Sequence, residues 1–131
     1  MNTRLVKVIN LLARLMMALI FFLSGLSKLG AIAPTQGYME AMGLPGFLLW
    51  PTILFEVAAG LLLVLGYRTA IVAFLLAGFC LVSAVIFHRQ LSDQIQLIMF
   101  LKNISMAGGF LYLSTMAYAK SAGNSEFAHS K

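Results

Sequence analysis

The chain has 131 residues, of which 61% are hydrophobic and 10% are charged, and its mean hydropathy is +0.94. This composition leaves too little polar surface to coat a water-soluble globule, so it excludes a soluble protein and predicts an integral membrane protein. The net charge of +5 does not indicate nucleic-acid binding, because the nine basic residues are scattered and mostly flank apolar segments. Basic residues at such positions are typical of those that set the orientation of a membrane protein.

Four apolar segments are long enough to cross a bilayer, which takes about 20 residues of helix. They cover residues 8–26, 47–65, 70–87 and 97–117. The sequence therefore predicts an all-α integral membrane protein whose four transmembrane helices form one antiparallel bundle, as a single domain over residues 1–131. A flexible, unstructured tail is predicted for residues 118–131.

The first segment carries one cation on its predicted packing side, and a second cation lies just beyond its far end. Arg14, Ala18, Phe21, Gly25 and Lys28 recur at spacings of four, three, four and three, which places them on one face of a helix. Because this face is small and polar, we expect it to pack inward.

The loop between the first two segments, residues 30–46, contains helix-start and helix-stop signals. A short helix is predicted from Pro34 through Glu40, ending at Gly43 before Pro45. We expect this helix to rest at the membrane interface.

The second segment contains a carboxylate, Glu56, in the middle of an apolar run. A charged side chain at the centre of the hydrocarbon core costs about 3 kcal/mol on insertion scales, so its retention indicates a cationic partner, protonation or a polar cavity. Glu56 is therefore the first candidate site residue.

The third segment has no charge, and its helical spacing predicts an inward stripe that ends at His88. His88 lies at the outer membrane edge, where a proton or ligand could enter, although an interfacial histidine bonded to a loop is the simpler alternative. Cys80 is the single cysteine and is predicted to be a buried, inert thiol, so no haem, iron–sulfur or zinc site is expected. The predicted stripe is Ala70, Phe74, Ala77, Leu81, Ala84 and His88.

The distribution of basic residues outside the segments predicts the topology. Five of them lie on one side of the membrane and two on the other, so both termini are predicted to be cytoplasmic. The five are Arg4, Lys7, Arg68, Lys120 and Lys131, and the two are Lys28 and Arg89.

The fourth segment adds Lys102 and Asn103 within its apolar run. In the predicted topology Lys102 and Arg14 are each offset in depth from Glu56 by about 6 Å. Since side chains lean toward the N-terminus of their own helix, Glu56 and Lys102 both lean outward and Arg14 leans toward the cytoplasm, which predicts Lys102 as the nearest partner of Glu56. The alternatives are that the cations snorkel to the headgroups, or that an ion pair at Glu56 only fixes helix register.

Five short motifs occur in a specific order over about residues 10–115. They are Arg14 followed by FFLSGLSK at 21–28, YMEAMGLPG at 38–46, Glu56-x-x-x-Gly60, Phe87-His88, and FLKN at 100–103. In this order they resemble the DoxX family of small four-helix bacterial membrane proteins, in particular its short inner-membrane members. The resemblance implies a four-helix bundle in the bacterial inner membrane and an association with redox systems, because the family is named after a subunit linked to quinol oxidation.

The resulting hypothesis is an accessory or quinone-interacting protein of a redox or oxidative-stress system. A polar cluster inside an apolar cavity supplies the hydrogen-bond partners that a quinone headgroup needs. The chain has no cysteine pair or cofactor ligands for electron transfer, so its enzymatic status is undecided and no catalytic residue is assigned. The candidate site residues are Glu56, Lys102, Asn103 and Arg14, with Lys28 and His88 as further members.

Two alternatives come from other functional classes. The first is a small transporter or proton-coupled permease in which Glu56 alternates between charged and neutral states. The second is a structural scaffold for a membrane complex. The expected partners are membrane lipid and either a redox subunit or a second copy of the chain, with no metal and no nucleic acid.

Overall fold

The computed structural model describes residues 2–129, with their side chains up to residue 123. The described residues form five α-helices and one 3-10 turn, with no β-strand among them. The helices are α1 (Thr3–Leu29), α2 (Ile32–Ala41), α3 (Leu49–Leu65), α4 (Thr69–Phe87) and α5 (Gln94–His129), and the 3-10 turn (Gly46–Leu48) leads into α3.

Four stretches of helix are long and apolar enough to cross a membrane, which confirms the predicted class of an all-α membrane protein with four spans. The chain divides into a first unit that ends at Tyr67 and a second unit that begins at Arg68. The single antiparallel bundle and the interfacial position of α2 stay predictions. The four stretches are Thr3–Leu29, Gly46–Leu65, Thr69–Phe87 and Gln94–Gly123.

The first and last helices of the chain, α1 and α5, are longer than the apolar segments that predict them. The side chain of Asn2 caps α1 by accepting a hydrogen bond from the backbone N–H of Leu5 at 2.8 Å. At the other end of the chain, α5 continues through His129, so the unstructured tail predicted from residue 118 is wrong for residues 118–129. This stretch has three alanines and no proline, and the helix that enters from the span continues past Gly123. Residues 130 and 131 lie outside the described part.

In the first unit, α1 and α3 pack through the face that the sequence predicts for α1. Ala18, Phe21 and Gly25 are the buried residues of α1, and their spacing confirms the inward face. The buried stripe of α3 consists of Leu49, Ile53, Glu56, Ala59, Gly60 and Leu63.

Glycine allows the two helices of the first unit to approach closely. A Cβ at Gly25 would lie 2.6 Å from Cγ2 of Val57, and a Cβ at Gly60 would lie 3.4 Å from the carbonyl oxygen of Ala18. Small residues at such crossings are typical of membrane helices, where packing rather than water exclusion drives association. The contacts run in opposite order along α1 and α3, so these two helices are antiparallel.

In the second unit, α4 packs on α5 through a stripe that agrees with the predicted one at Ala77 and Ala84 and differs elsewhere. Phe74 and Leu81, which the sequence analysis placed inward, are 62% and 40% exposed. Because α4 is apolar all round, periodicity does not distinguish its packing side, and smaller residues form the buried stripe. Cys80 is buried, as predicted. The stripe is Val72, Ala73, Leu76, Ala77, Cys80 and Ala84, facing Ala107, Phe110 and Ser114.

We expect Gly25→Ala to destabilise the protein by about 1–3 kcal/mol, because the added methyl overpacks the contact with the stiff, β-branched Val57. Thermal unfolding in detergent measures the effect. Gly78→Ala is the matched control, since nothing lies within 4 Å of a Cβ there among the described residues. If Gly25→Ala and Gly78→Ala unfold at the same temperature, the close approach of α1 and α3 at Gly25 does not contribute to stability.

Candidate functional site

Glu56 is buried in the interface between α1 and α3. Its exposed fraction is 2%, because the helical spacing of α3 places it on the same stripe as Ile53 and Gly60. The close approach at Gly25 adds to this burial, since a Cβ on Gly25 would lie 3.4 Å from the Cβ of Glu56. The carboxylate therefore needs a partner within the protein.

Lys28 is the partner of Glu56. Its Nζ lies 2.8 Å from Oε1 and 2.9 Å from Oε2, so the ammonium bridges both oxygens of the carboxylate. The same Nζ donates to the hydroxyl of Ser24 at 2.6 Å. An ammonium has three N–H donors, and here all three are used. Ser24, Lys28 and Glu56 form what we call the polar cluster.

The polar cluster is open at one end. The side chain of Lys28 is 23% exposed, whereas that of Glu56 is 3% exposed. The ammonium and its serine partner are therefore the accessible members, and the carboxylate lies behind them. A molecule with an oxygen acceptor could take the N–H that Ser24 holds, while Lys28 keeps both contacts to Glu56.

The identity of this partner corrects the sequence analysis, which assigned Lys102 as the nearest cation to Glu56 and placed Lys28 beyond the end of the first span. The structure extends α1 to Leu29, and Lys28 leans back along the helix to the level of Ser24. Glu56 leans toward the start of α3, so the two side chains meet. Lys102 belongs to the second unit, and its proximity to Glu56 stays a prediction.

Arg14 has a separate role at the other end of α3. The turn at Gly66 satisfies the carbonyls of Leu62 and Leu63, with the N–H of Gly66 bonded to Leu63 and that of Tyr67 to Leu62. The next carbonyl, that of Val64, accepts a 2.9 Å hydrogen bond from Nη1 of Arg14.

The guanidinium of Arg14 is held in place from its own helix as well. Its Nε donates to Oδ1 of Asn10 at 2.9 Å. A cation at the C-terminus of α3 also interacts favourably with the helix dipole. Arg14 and Lys28 are 14 residues apart on α1, which corresponds to about 21 Å. Arg14 is therefore not part of the polar cluster, although the sequence analysis grouped it with Glu56.

The remaining candidates lie in the second unit. Nδ1 of His88 lies 2.9 Å from Oε1 of Gln96, which agrees with the simpler interpretation of a histidine bonded near the loop. Nδ2 of Asn103 donates to the carbonyl of Met99 on its own helix at 2.9 Å. Asp93 starts α5 by accepting hydrogen bonds from the N–H groups of Ile95 and Gln96.

Ser24 is the site residue that the sequence analysis missed. It lies four residues before Lys28 in the SGLSK motif, a spacing that places the two side chains next to each other on one helix face. That spacing was the available signal. In the part of the chain that the structure describes, no three histidine, cysteine, aspartate or glutamate side chains are grouped to hold a metal ion.

Comparisons with known proteins find a family model and two similar inner membrane proteins. Residues 9–89 match the family model described as DoxX. The chain is similar to the inner membrane protein YqjF of Escherichia coli K12, with 42% identity over 79% of this chain and 80% of that protein. It is also similar to the inner membrane protein YphA of the same organism, with 37% identity over 82% of this chain and 81% of that protein. No solved structure matches the chain.

We expect Lys28→Met to destabilise the protein by about 3 kcal/mol, because it leaves the buried carboxylate of Glu56 without its cation. Glu56→Gln should cost less, since the amide oxygen still accepts from Lys28. Replacing both residues, as Lys28→Met with Glu56→Leu, should recover much of the stability that Lys28→Met and Glu56→Leu each lose alone. Unfolding measured in detergent gives the coupling between the two sites, and strictly additive losses would contradict the ion pair.

Arg14→Met should cost about 1–2 kcal/mol, because the carbonyl of Val64 loses its charged donor. Arg14→Lys should recover part of this loss, since an ammonium reaches the carbonyl of Val64. Lysine has no second nitrogen in the position from which Nε of Arg14 donates to Asn10. Thermal unfolding of the two variants beside Arg4→Met, which removes an arginine from the same helix, separates the capping contact from the loss of charge. Equal losses for Arg14→Met and Arg4→Met would count against the cap.

Proposed function

The chain belongs to the DoxX family of inner membrane proteins, and from this premise we propose that it is an accessory component of a membrane redox system that binds a quinone headgroup at Ser24, Lys28 and Glu56. The observation that carries the proposal is the arrangement of the polar cluster, in which a partly exposed ammonium is anchored by a buried carboxylate. We further propose that both termini are cytoplasmic, on the distribution of basic residues.

The chemistry of a quinone fits the accessible end of the polar cluster. A quinone carbonyl is a hydrogen-bond acceptor on an apolar ring, so it needs a donor at the edge of an apolar site. Lys28 is the penultimate residue of α1, at one end of the span, and its N–H toward Ser24 can be transferred to an incoming acceptor. Glu56 holds the ammonium in position during this exchange.

The proposed role is binding rather than electron transfer by this chain alone. No group of metal-ligating side chains occurs among the described residues, and the cysteine at position 80 is single. Electrons for a bound quinone would come from a partner subunit, which makes an accessory role the appropriate one. Lysine and glutamate next to each other can also hold a proton close to the quinone oxygen.

A structural scaffold is the second candidate function. All three N–H donors of Lys28 already have acceptors, which favours this function. An ion pair that needs no further ligand is sufficient to fix the register of α1 and α3. The scaffold and the quinone site differ in one measurable respect, which is whether changes at Ser24 and Lys28 alter the binding of a small molecule.

The test is binding of a short-chain ubiquinone to the purified protein in detergent. Lys28→Met should weaken binding at least tenfold, because it removes a charged hydrogen-bond donor. Ser24→Ala should tighten binding, since it removes the competing acceptor while the ion pair stays intact. Ser24→Ala also keeps the proposal testable if Lys28→Met folds poorly.

Lys102→Met is the matched control, because it makes the same chemical change in the second unit. We expect it to leave the affinity unchanged. A loss as large as that of Lys28→Met would support the larger pocket that the sequence predicts around Lys102 and contradict the smaller site. No binding of ubiquinone by the wild-type protein, together with altered stability in the variants, would leave the scaffold as the function.

A further inference from the structure

We propose that a groove at the start of α1 binds the headgroup of an anionic phospholipid. The groove has a volume of about 480 Å³, and one side of the first three turns of α1 lines it. This site is separate from the polar cluster, which lies near the opposite end of the same helix. The lining residues are Thr3, Arg4, Lys7, Val8 and Leu11.

No contact among the described residues neutralises the positive charge of the groove. Neither Arg4 nor Lys7 has a hydrogen bond or an ion pair to the part of the chain that the structure describes. They are three residues apart, so their side chains are neighbours on one face of the helix. The first acidic residue of the sequence is Glu40, which belongs to α2. Two adjacent cations without a carboxylate are suited to a phosphate group.

The other end of the groove is apolar. Val8 and Leu11 are 48% and 44% exposed and lie one to two turns deeper along α1 than Arg4. A free phosphate or nucleotide would not bury this apolar surface, whereas the glycerol and the upper acyl chains of a phospholipid would cover it. The succession of charge and then hydrocarbon along the groove therefore favours a lipid over a soluble anion.

The length of α1 places the groove at the correct depth for a lipid headgroup. Its 27 residues span about 40 Å, whereas the hydrocarbon core of a bilayer is about 30 Å thick. We assign the excess length to the start of α1, where Arg4 and Lys7 lie, so that its first turns reach the headgroup region. Basic residues at this level attract anionic lipids, at about 1 kcal/mol for each lysine or arginine.

If Arg4 and Lys7 served only to set the membrane topology, their number would matter but the face of α1 on which they lie would not. The decisive variant therefore moves the two charges to the opposite face of α1 and keeps their number, as Arg4→Gln and Lys7→Gln combined with Leu5→Arg and Val6→Lys. Leu5 and Val6 are both exposed, so the new side chains meet no packing obstacle. Topology and net charge stay the same, and the groove loses its cations.

The experiment is native mass spectrometry of the full chain in detergent, titrated with phosphatidylglycerol or with phosphatidylethanolamine of the same acyl chains. We expect the wild-type protein to bind phosphatidylglycerol more tightly, and the relocated variant to lose about 30-fold in that affinity. Arg89→Gln with Lys120→Gln, which removes two cations elsewhere, should change the affinity less than threefold. Binding of phosphatidylethanolamine should be the same in all three proteins.

Three outcomes would overturn the proposal. Equal affinity of the wild-type protein for the two lipids would exclude selection of an anionic headgroup. Unchanged affinity of the relocated variant would show that overall charge, and not the groove, attracts the lipid. Complete displacement of phosphatidylglycerol by millimolar inorganic phosphate would assign the groove to a soluble anion instead.

Discussion

The first unit depends on a single electrostatic constraint, which is that a carboxylate buried between two membrane helices must keep a cation beside it. Removing the ammonium of Lys28 would leave Glu56 either charged in a medium of low dielectric constant or protonated. Both states are less favourable than the ion pair, and the pair forms only if α1 and α3 hold one relative register. The contact therefore specifies which residues of α1 face which residues of α3, in a membrane where apolar side chains alone distinguish partners poorly.

The other features of the α1–α3 contact agree with that register. Gly25 allows the helices to approach next to the ion pair, and Gly60 does the same farther along. Arg14 then binds the end of α3 about 21 Å from Lys28. Two charged contacts near the ends and two glycines between them thus define one arrangement. A shift by one turn would separate both cations from their oxygens at the same time, which makes alternative registers costly.

The sequence predicted the spans and the inward face of α1 correctly, because hydropathy and the spacing of Arg14 and Lys28 are properties of single helices. It predicted the partner of Glu56 wrongly, since the choice depends on where α1 ends and on the reach of a lysine side chain, and neither follows from the apolar segment at 8–26. The buried face of α4 was predicted only in part, because Ala77 and Ala84 lie on it whereas Phe74 and Leu81 do not. Its residues are apolar on every side, so the packing side is set by the size of residues on both partners and leaves no periodic signal in one of them.

The choice of lysine at position 28 and arginine at position 14 follows from the oxygens that each must bind. Arg14 meets a backbone carbonyl and an amide oxygen in different directions, which suits a planar fork of donors. Lys28 meets three oxygens around one point, which suits an ammonium. An ammonium also exchanges one partner without rotating away from the others, whereas a bidentate fork does not. Because the side chain of Lys28 is 23% exposed and that of Glu56 is 3% exposed, the accessible end of the polar cluster carries the donor and not the carboxylate.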